Sequence, residues 1–169
     1  MKKYLGILAV ALIVPTIGSA SVDVGLQYVA PTGDFSDVAG GGFGANLGFY
    51  RGINDHVLMG GALGAIAYGG ISIFGTEIQW YGYPLTVGAE YFIKPINEKG
   101  LFIKANGGVL YKRATIDDGY DSASDTDTGP LFSPAIGYRA GNVVISAEYN
   151  ISNNNWTWFS LTAVYRFGN

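Results

Sequence analysis

The stretch Phe159-Ser160-Leu161-Thr162-Ala163-Val164-Tyr165-Arg166-Phe167 near the end of the sequence alternates without a break. Its odd positions carry Phe, Leu, Ala, Tyr and Phe, and its even positions carry Ser, Thr, Val and Arg. Because alternate side chains of a β-strand point to opposite faces, the stretch predicts a strand with one apolar and one mostly polar face. The fold then depends on how often the rest of the chain repeats this pattern.

The pattern recurs along the whole chain after residue 20. Most of the alternating segments reach the roughly 9–11 residues that a tilted strand needs to cross a bilayer. Helical spacing is not sustained there, because Gly and Pro interrupt the chain too often. We predict an all-β protein with eight strands, at Val22–Ala30, Gly42–Arg51, Val57–Tyr68, Glu77–Ile93, Leu101–Ile116, Thr128–Arg139, Val143–Asn150 and Thr157–Phe167.

The first twenty residues have the composition of a secretory signal peptide. Lys2 and Lys3 precede an apolar stretch from Leu5 to Ile17, and Gly18-Ser19-Ala20 supplies small residues for cleavage. A membrane anchor is the competing reading, but the apolar stretch is shorter than the roughly 20 residues of a spanning helix. We predict that residues 1–20 are cleaved and that residues 21–169 form one domain. With no cysteine in the chain, a lipid-attached cysteine and disulfides are excluded.

The composition is unusual for a water-soluble domain. Charged residues make up only 14% of the chain against about a quarter in soluble proteins, and there are 26 glycines. Removing Lys2 and Lys3 from the 10 basic residues leaves eight against 13 acidic ones, a net charge of −5, with no basic patch for nucleic acid. No later segment is continuously apolar over 18 residues. A secreted, apolar chain without a spanning helix favours a closed β-barrel, which pairs every backbone group in lipid.

The segments between the predicted strands alternate in length. Longer polar or glycine-rich connections are expected at Pro31–Gly41, Gly69–Thr76, Asp117–Asp127 and Ile151–Trp156, and shorter turns at Gly52–His56, Lys94–Gly100 and Ala140–Asn142. An up-and-down transmembrane barrel has long outer loops and short periplasmic turns. With eight strands, both ends of the domain are then expected on the periplasmic side.

The two faces of the segments differ in a way that favours lipid outside. A soluble barrel also alternates, but it would carry charges on its outer face. Here the charged face is sparse and rich in Gly, Ser and Thr, which suits the narrow interior of an eight-stranded barrel. Aromatic residues near the strand ends are expected to form two interfacial girdles: Tyr28, Phe49, Tyr68, Tyr81, Tyr91, Tyr111, Tyr138, Tyr149, Trp158 and Phe167.

Several stretches resemble a known family. Val22–Tyr28, Pro31–Ser36 and Gly42–Tyr50 are similar to the first strand, first loop and second strand of the small outer-membrane β-barrel family, the OmpA/OmpX-type proteins of Gram-negative bacteria. The resemblance implies an eight-stranded antiparallel up-and-down transmembrane β-barrel, integral to the outer membrane and monomeric. Its implied partners are outer-membrane lipid and lipopolysaccharide, the outer-membrane assembly machinery and periplasmic chaperones.

The last strand also resembles the assembly signal of that family through Ser160, Tyr165 and Phe167. Thr162 departs from the pattern, which prefers Gly there, and Gly168-Asn169 extend past the usual terminal aromatic residue.

Six charged residues fall on the predicted inner face: Asp23, Glu90, Lys104, Arg139, Glu148 and Arg166. An unpaired buried charge costs several kcal/mol, so a network of ion pairs is expected, with Asp23 as a candidate partner for Arg166. We interpret the network as a structural filling of the lumen. The other reading is a gate or an ion path.

Two features raise other chemistries. Lipid A deacylases or acyltransferases would need a His that activates a Ser, but His56 lies beside Asp55 in a predicted periplasmic turn. Five carboxylates are weak candidates for Ca²⁺ contact, although a solvated loop has the same composition: Asp117, Asp118, Asp121, Asp125 and Asp127. The run Asn153-Asn154-Asn155 with Trp156 and Trp158 is either an adhesive tip or a loop entering the outer girdle.

The sequence contains no phosphate-binding loop, dinucleotide fingerprint or zinc-ligand cluster. We therefore expect no catalytic residues, no cofactor and no bound metal. The predicted role is structural or surface-interacting: envelope integrity, adhesion or ligand contact through the outer loops. The alternatives are a porin-like channel for small solutes or hydrophobic compounds and, third, a lipid-modifying barrel enzyme.

Overall fold

The computed structural model describes residues 20–73, 76–117 and 122–168. A short 3-10 helix, Gly33–Asp37, lies between the first two strands. The eight strands are β1 (Ala20–Thr32), β2 (Gly40–Asn54), β3 (Val57–Ile73), β4 (Thr76–Phe92), β5 (Gly100–Asp117), β6 (Ser122–Ala140), β7 (Val143–Ser152) and β8 (Thr157–Phe167). The predicted signal peptide lies outside the described residues except for Ala20, the first residue of β1.

The strands form a closed barrel in which each strand pairs with its neighbours in the sequence. Every pairing is antiparallel, and β1 closes the barrel against β8 with Asp23 directly opposite Arg166. The predicted eight-stranded up-and-down barrel is confirmed. Over the described ranges, no helix has the length and hydrophobicity needed to span a bilayer.

The barrel is apolar outside and polar inside. Exposed aliphatic and aromatic side chains cover the outer face of every strand, including Leu26 and Phe43, which are 71% and 72% exposed. An exposed apolar surface of this extent is incompatible with water but suits lipid. The buried polar and charged side chains line the lumen: Asp23, Gln27, Thr86, Glu90, Asn106, Lys112, Ser133, Arg139, Ser146, Glu148, Asn150, Ser160, Thr162 and Arg166.

Two of the predicted outer loops are largely strand. β3 continues to Ile73 and β4 begins at Thr76, so most of the predicted loop Gly69–Thr76 belongs to a hairpin. Likewise β6 already begins at Ser122, within the predicted loop Asp117–Asp127. Residues 123–127 are all exposed, so apolar and polar residues need not alternate there, while the backbone pairing continues in both hairpins. The predicted boundaries were therefore wrong at this end.

The alternation of loop lengths is also weaker than predicted. At the inner end, residues 55–56 and 141–142 form tight turns, but residues 93–99 form a longer connection between β4 and β5. This connection folds back across the inner mouth, since the Ile96 amide donates to the Asp55 carbonyl at 2.7 Å.

Two residues predicted for the aromatic girdles lie inside the lumen instead. Tyr68 and Trp158 are each 1% exposed. The alternation of side chains along each strand explains both positions. Trp158 lies on the same face of β8 as Arg166, and Tyr68 lies on the same face of β3 as the buried Leu58 and Ile66. Most of the other predicted girdle residues, including Tyr28 and Tyr165, do face outward.

Candidate functional site: the lumen and its outer mouth

An ion-pair group, Asp23, Glu90 and Arg166, lies in the inner half of the lumen. Arg166 on β8 donates from Nε and Nη2 to the two carboxylate oxygens of Asp23 on β1 at 2.7 and 2.6 Å. Its Nη2 also lies 2.9 Å from Oε2 of Glu90, which reaches across the lumen from β4. All three residues are buried. Such a fork-shaped contact joins two adjacent strands and a distant one through a single guanidinium.

The remaining three predicted lumen charges lie nearby but are held differently. Lys104 Nζ on β5 contacts Glu148 Oε1 on β7 at 3.2 Å, and the Ser146 hydroxyl donates to the same oxygen at 2.9 Å. Arg139 lies at the inner rim and donates to the backbone carbonyls of Gly141 and Ile96 at 2.8 and 2.5 Å. Arg139 thus ties the connection between β4 and β5 to the barrel wall.

Apolar side chains pack among these charges in the inner half of the lumen. Tyr50, Leu58, Phe92, Phe102 and Val144 form a buried cluster, and Ile96 from the inner connection packs against it. The Arg166 guanidinium carbon also lies 5.1 Å from the Tyr50 ring centroid. Charge and apolar packing therefore fill the same half of the barrel.

A small cavity of about 70 Å³ occupies the middle of the lumen. Its wall includes amide and hydroxyl side chains, among them Asn46, Thr86, Ser133 and Thr162. Ser133 donates to Asn150 at 2.7 Å, and Asn150 donates to Ser160 at 3.0 Å. The space suits a few water molecules and is much smaller than a solute pathway.

Five aromatic rings close the outer mouth; we refer to Phe35, Tyr68, Trp80, Trp156 and Trp158 as the aromatic cap. Phe35 comes from the 3-10 helix of loop 1, residues 33–39, and stacks on Trp156 at 4.1 Å between centroids, with an angle of 20° between the rings. Tyr68 and Trp80 pack edge to face with Phe35, with 5.1 and 6.1 Å between the ring centroids. Trp156 also contacts Tyr68 and Trp80. Trp158 belongs to the same buried cluster. The cap contains all three tryptophans of the chain.

Loop 4, residues 153–156, positions Trp156 over the lumen. Asn154 and Asn155 have φ angles of 55° and 57°, in the left-handed region that Asn tolerates better than most residues. The Ser152 amide donates to the Trp156 carbonyl at 2.9 Å, which closes the turn. Asn155 Nδ2 then donates to Asp34 of loop 1 at 2.6 Å. The run Asn153-Asn154-Asn155 is thus a tight turn that directs Trp156 inward.

Lys112 connects the cap to the extended hairpin of β5 and β6. Its Nζ contacts Asp127 at 2.9 Å, donates to Asn153 at 2.8 Å and lies 4.9 Å from the Trp156 ring centroid. The ammonium of Lys112 holds the pKa of the Asp127 carboxyl below its ordinary value through this hydrogen bond. The predicted charge network did not include Lys112, although its parity with Lys104 on β5 indicated an inward position.

The other predicted candidates are placed as follows. His56 occupies an inner turn, where its Nδ1 lies 2.9 Å from the Phe92 carbonyl and its ring stacks near Tyr91. In the assembly-signal strand, Ser160 is buried in the lumen, whereas Tyr165 and Phe167 face outward with ring centroids 4.6 Å apart.

Two of the five aspartates proposed for cation contact, Asp125 and Asp127, have other partners in the structure. Asp127 pairs with Lys112, and Asp125 accepts a hydrogen bond from the amide of Thr126. Asp118 and Asp121 lie outside the described residues. Within residues 20–73, 76–117 and 122–168, no three His, Cys, Asp or Glu side chains are grouped so that they could hold a metal ion.

Comparison with known proteins gives matches by structure alone. No family model matches the chain, and no curated protein matches its sequence. The attachment invasion locus protein Ail of Yersinia pestis superposes with a TM-score of 0.68 at 20% identity, covering 90% of this chain and 100% of Ail. Ail has also been solved with the heparin analogue sucrose octasulfate.

Two further barrels are similar over nearly their whole length. Neisserial surface protein A matches with a TM-score of 0.55 at 19% identity, covering 90% of this chain and 100% of its own. The N-terminal barrel domain of Pseudomonas aeruginosa OprF matches with a TM-score of 0.56 at 15% identity, covering 87% and 97%. Together with the apolar exterior and polar lumen, these likenesses show that the chain has the fold of the small eight-stranded outer-membrane β-barrels.

Proposed function

We propose that this protein is a non-conducting outer-membrane barrel that acts through its outer surface. The observation that supports this most directly is the filling of the lumen at both ends. Ion pairs and apolar side chains occupy the inner half, and the aromatic cap occupies the outer mouth. A barrel of eight strands has little space beyond its side chains, so a solute would have to displace one of these groups.

The extended hairpins are the part of the molecule that a partner would meet first. On β5 and β6, six residue pairs lie beyond the level of Tyr111 and Thr128, from Lys112–Asp127 to Asp117–Ser122. At about 3.4 Å per residue, these pairs project on the order of 20 Å along the strand direction. The β3–β4 hairpin extends similarly past Tyr68 and Trp80. The protein Ail, which has a similar fold, is described as an attachment invasion locus protein.

The proposal includes the expected partners and excludes catalysis. Tyr165 and Phe167 are read by the outer-membrane assembly machinery before the strand pairs, after delivery by periplasmic chaperones. Once inserted, the apolar face contacts outer-membrane lipid and, near the outer rim, lipopolysaccharide. His56 has a structural role in the inner turn, where it contacts the Phe92 carbonyl, and it takes no part in a reaction.

Conductance in planar lipid bilayers tests the closed lumen. We expect no discrete current steps from the wild-type barrel, whereas a variant with both closures weakened, Arg166→Met with Trp156→Ala, should conduct. Each single variant keeps one closure and should stay silent. Steady conductance of the wild type would instead favour the channel alternative.

Trimmed hairpins test the surface role. Replacing residues 113–126 with an Asn-Gly turn keeps Lys112 opposite Asp127 and removes the projecting part of β5 and β6. A second trimmed chain replaces residues 69–79 in the same way between Tyr68 and Trp80, and each trimmed chain serves as the comparison for the other. In a deletion strain, we expect at least one of the two trimmed chains to return envelope permeability to the wild-type level. The same chain should fail to restore wild-type adhesion or wild-type sensitivity to phage and serum. Full restoration of every trait by both trimmed chains would contradict a role for the hairpins.

A further inference from the structure

Phe35 differs from the other rings of the aromatic cap because it is not anchored on a strand or beside one. It belongs to the 3-10 helix Gly33–Asp37, and it is 2% exposed although both neighbours, Asp34 and Ser36, are exposed. Its ring fills a space whose walls are Tyr68, Trp80 and Trp156. The loop thus inserts one apolar ring into an aromatic pocket.

The loop that carries Phe35 is held by few polar contacts. Trp80 Nε1 donates to the Val38 carbonyl at 2.9 Å, and Asn155 Nδ2 donates to Asp34 at 2.6 Å. Gly33 at the base of the helix has a φ of 57°, a conformation that glycine adopts without strain. A ring held on a short loop with a glycine at its base can leave its pocket without opening the barrel wall.

The aromatic cap also includes two buried polar groups without a hydrogen-bond partner in the described part of the chain. Tyr68 Oη and Trp158 Nε1 have no hydrogen-bond partner in the described part of the chain, although both residues are 1% exposed. A buried donor without a partner costs roughly 1–3 kcal/mol, so a second ligand or water is expected there. A phenyl ring offers no acceptor to either group.

The rim of the pocket adds amide and carboxylate side chains. Asn153, Asn154 and Asn155 follow one another in loop 4, and they contact Lys112, Asp127 and Asp34. The Lys112 ammonium lies beside Trp156 and already pairs with Asp127, so this charge does not favour an anionic ligand. A neutral sugar meets these demands, because a C–H face of its ring stacks on an indole and its oxygens and hydroxyl groups bind donors, amides and carboxylates.

We propose that the aromatic cap is a binding site for a neutral saccharide and that Phe35 is its resident occupant. The sugar ring replaces Phe35 on the face of Trp156, and its oxygens accept from Tyr68 Oη and Trp158 Nε1. The amide side chains of loop 4 bind the hydroxyl groups. This rests on the proposed surface-interacting role and names the ligand class of its outer mouth.

Tryptophan fluorescence of the barrel in detergent measures this binding directly, because the chain has three tryptophans and all lie in the cap. The probes are maltotriose and chitotriose as neutral oligosaccharides, sucrose octasulfate as a polyanion, and indole as a ring without oxygen. We expect a saturable change with a neutral oligosaccharide and none with the other two.

Loop variants test the role of Phe35. Phe35→Ala removes the ring that fills the pocket. Asp34→Ala removes the hydrogen bond from Asn155 that holds the loop, without deleting any aromatic ring. If the wild-type pocket is open in about a tenth of the molecules, Phe35→Ala should bind about tenfold more tightly, and Asp34→Ala should tighten binding by up to the same factor. Asp37→Ala removes the same charge from the same helix, keeps the Asn155 contact and should bind like the wild type. Heat-dependent gel migration confirms that each barrel is folded.

Tyr68→Phe tests the buried donor, since it should weaken binding about fivefold without loosening the cap. The proposal is overturned if neither loop variant responds to the neutral sugars up to about 10 mM. It is equally overturned if indole binds and the sugars do not, or if all variants bind a sugar with equal affinity. None of these outcomes affects the conductance and hairpin tests of the proposed function.

Discussion

The two ends of the lumen are closed by different chemistry. At the inner end, the charged side chains of Asp23, Glu90 and Arg166 all come from strands of the barrel wall. At the outer end, Phe35 and Trp156 come from loops and meet over the mouth. The difference implies that the inner closure is as stable as the barrel itself, whereas the outer closure can open by moving a loop.

The energetic rules of the two ends differ as well. A buried ion pair is held together mainly because breaking it leaves an uncompensated charge. Stacked rings lose contact area gradually, and water can enter as a loop moves. Substitutions at the inner end should therefore destabilise the whole barrel, and substitutions at the outer end should act largely on the cap.

The largest effect is expected for Arg166→Met. It leaves the carboxylates of Asp23 and Glu90 buried without their shared partner, and the free energy of unfolding should fall by about 3–5 kcal/mol. Urea unfolding from lipid vesicles measures the loss. Arg113→Met removes an exposed arginine on β5 and serves as the control. Equal stability of the two variants would contradict the ion-pair group.

Trp156→Ala comes next, with an expected loss of about 3 kcal/mol, at the low end for a buried tryptophan because water can fill the mouth. The variant should also lose much of the fluorescence contrast between folded and unfolded protein. Trp80→Ala, at the half-buried edge of the cap, should cost less. If Trp80→Ala proved the more damaging variant, Trp156 would not be the centre of the cap.

Lys104→Met should cost about 2 kcal/mol, because Glu148 keeps the hydrogen bond from Ser146. A double-mutant cycle with Glu148→Gln isolates the pair, and we expect the two substitutions to be clearly non-additive. Additive losses would mean that Lys104 and Glu148 act independently, and the inner network would then reduce to Arg166 and its two carboxylates.

The smallest effect is a dependence on acid at the outer end. Lys112 lowers the pKa of Asp127 from its ordinary value of 3.8. The contribution of this pair is therefore complete above pH 3.8 and is lost as the pH falls through the lowered pKa of the folded protein. Fluorescence of the cap should change in that acidic range. Asp127→Asn should abolish the transition, and an unchanged transition in that variant would assign it to other carboxyl groups.

The membrane-spanning part of the fold could be predicted because lipid and lumen impose opposite demands on alternate residues. In the neighbouring pairs Leu26 and Gln27, and Tyr165 and Arg166, the apolar residue must face lipid and the polar residue must face the lumen. That constraint ends where the hairpins enter water, so residues 69–73 and 122–127 were predicted as loops although they remain paired strands.

The candidate site was only partly predictable. The pairing of Asp23 with Arg166 follows from the neighbouring positions of β1 and β8, but the reach of Glu90 across the lumen depends on side-chain length and barrel width. The inward position of Trp158 could have been predicted, because Trp158 and Arg166 lie an even number of residues apart on β8. The return of Phe35 over the mouth was not, because it depends on contacts between loops that are distant in sequence.

The pairing of β1 with β8 also constrains how the chain can fold. Asp23 and Arg166 lie 143 positions apart, so their contact waits for the last strand to arrive. Until then, β1 presents a row of unpaired backbone groups, and contacts of such long range form slowly. A chain that stops short of β8 therefore lacks the final ladder and leaves two carboxylates unneutralised, which couples completion of the sequence to closure of the fold.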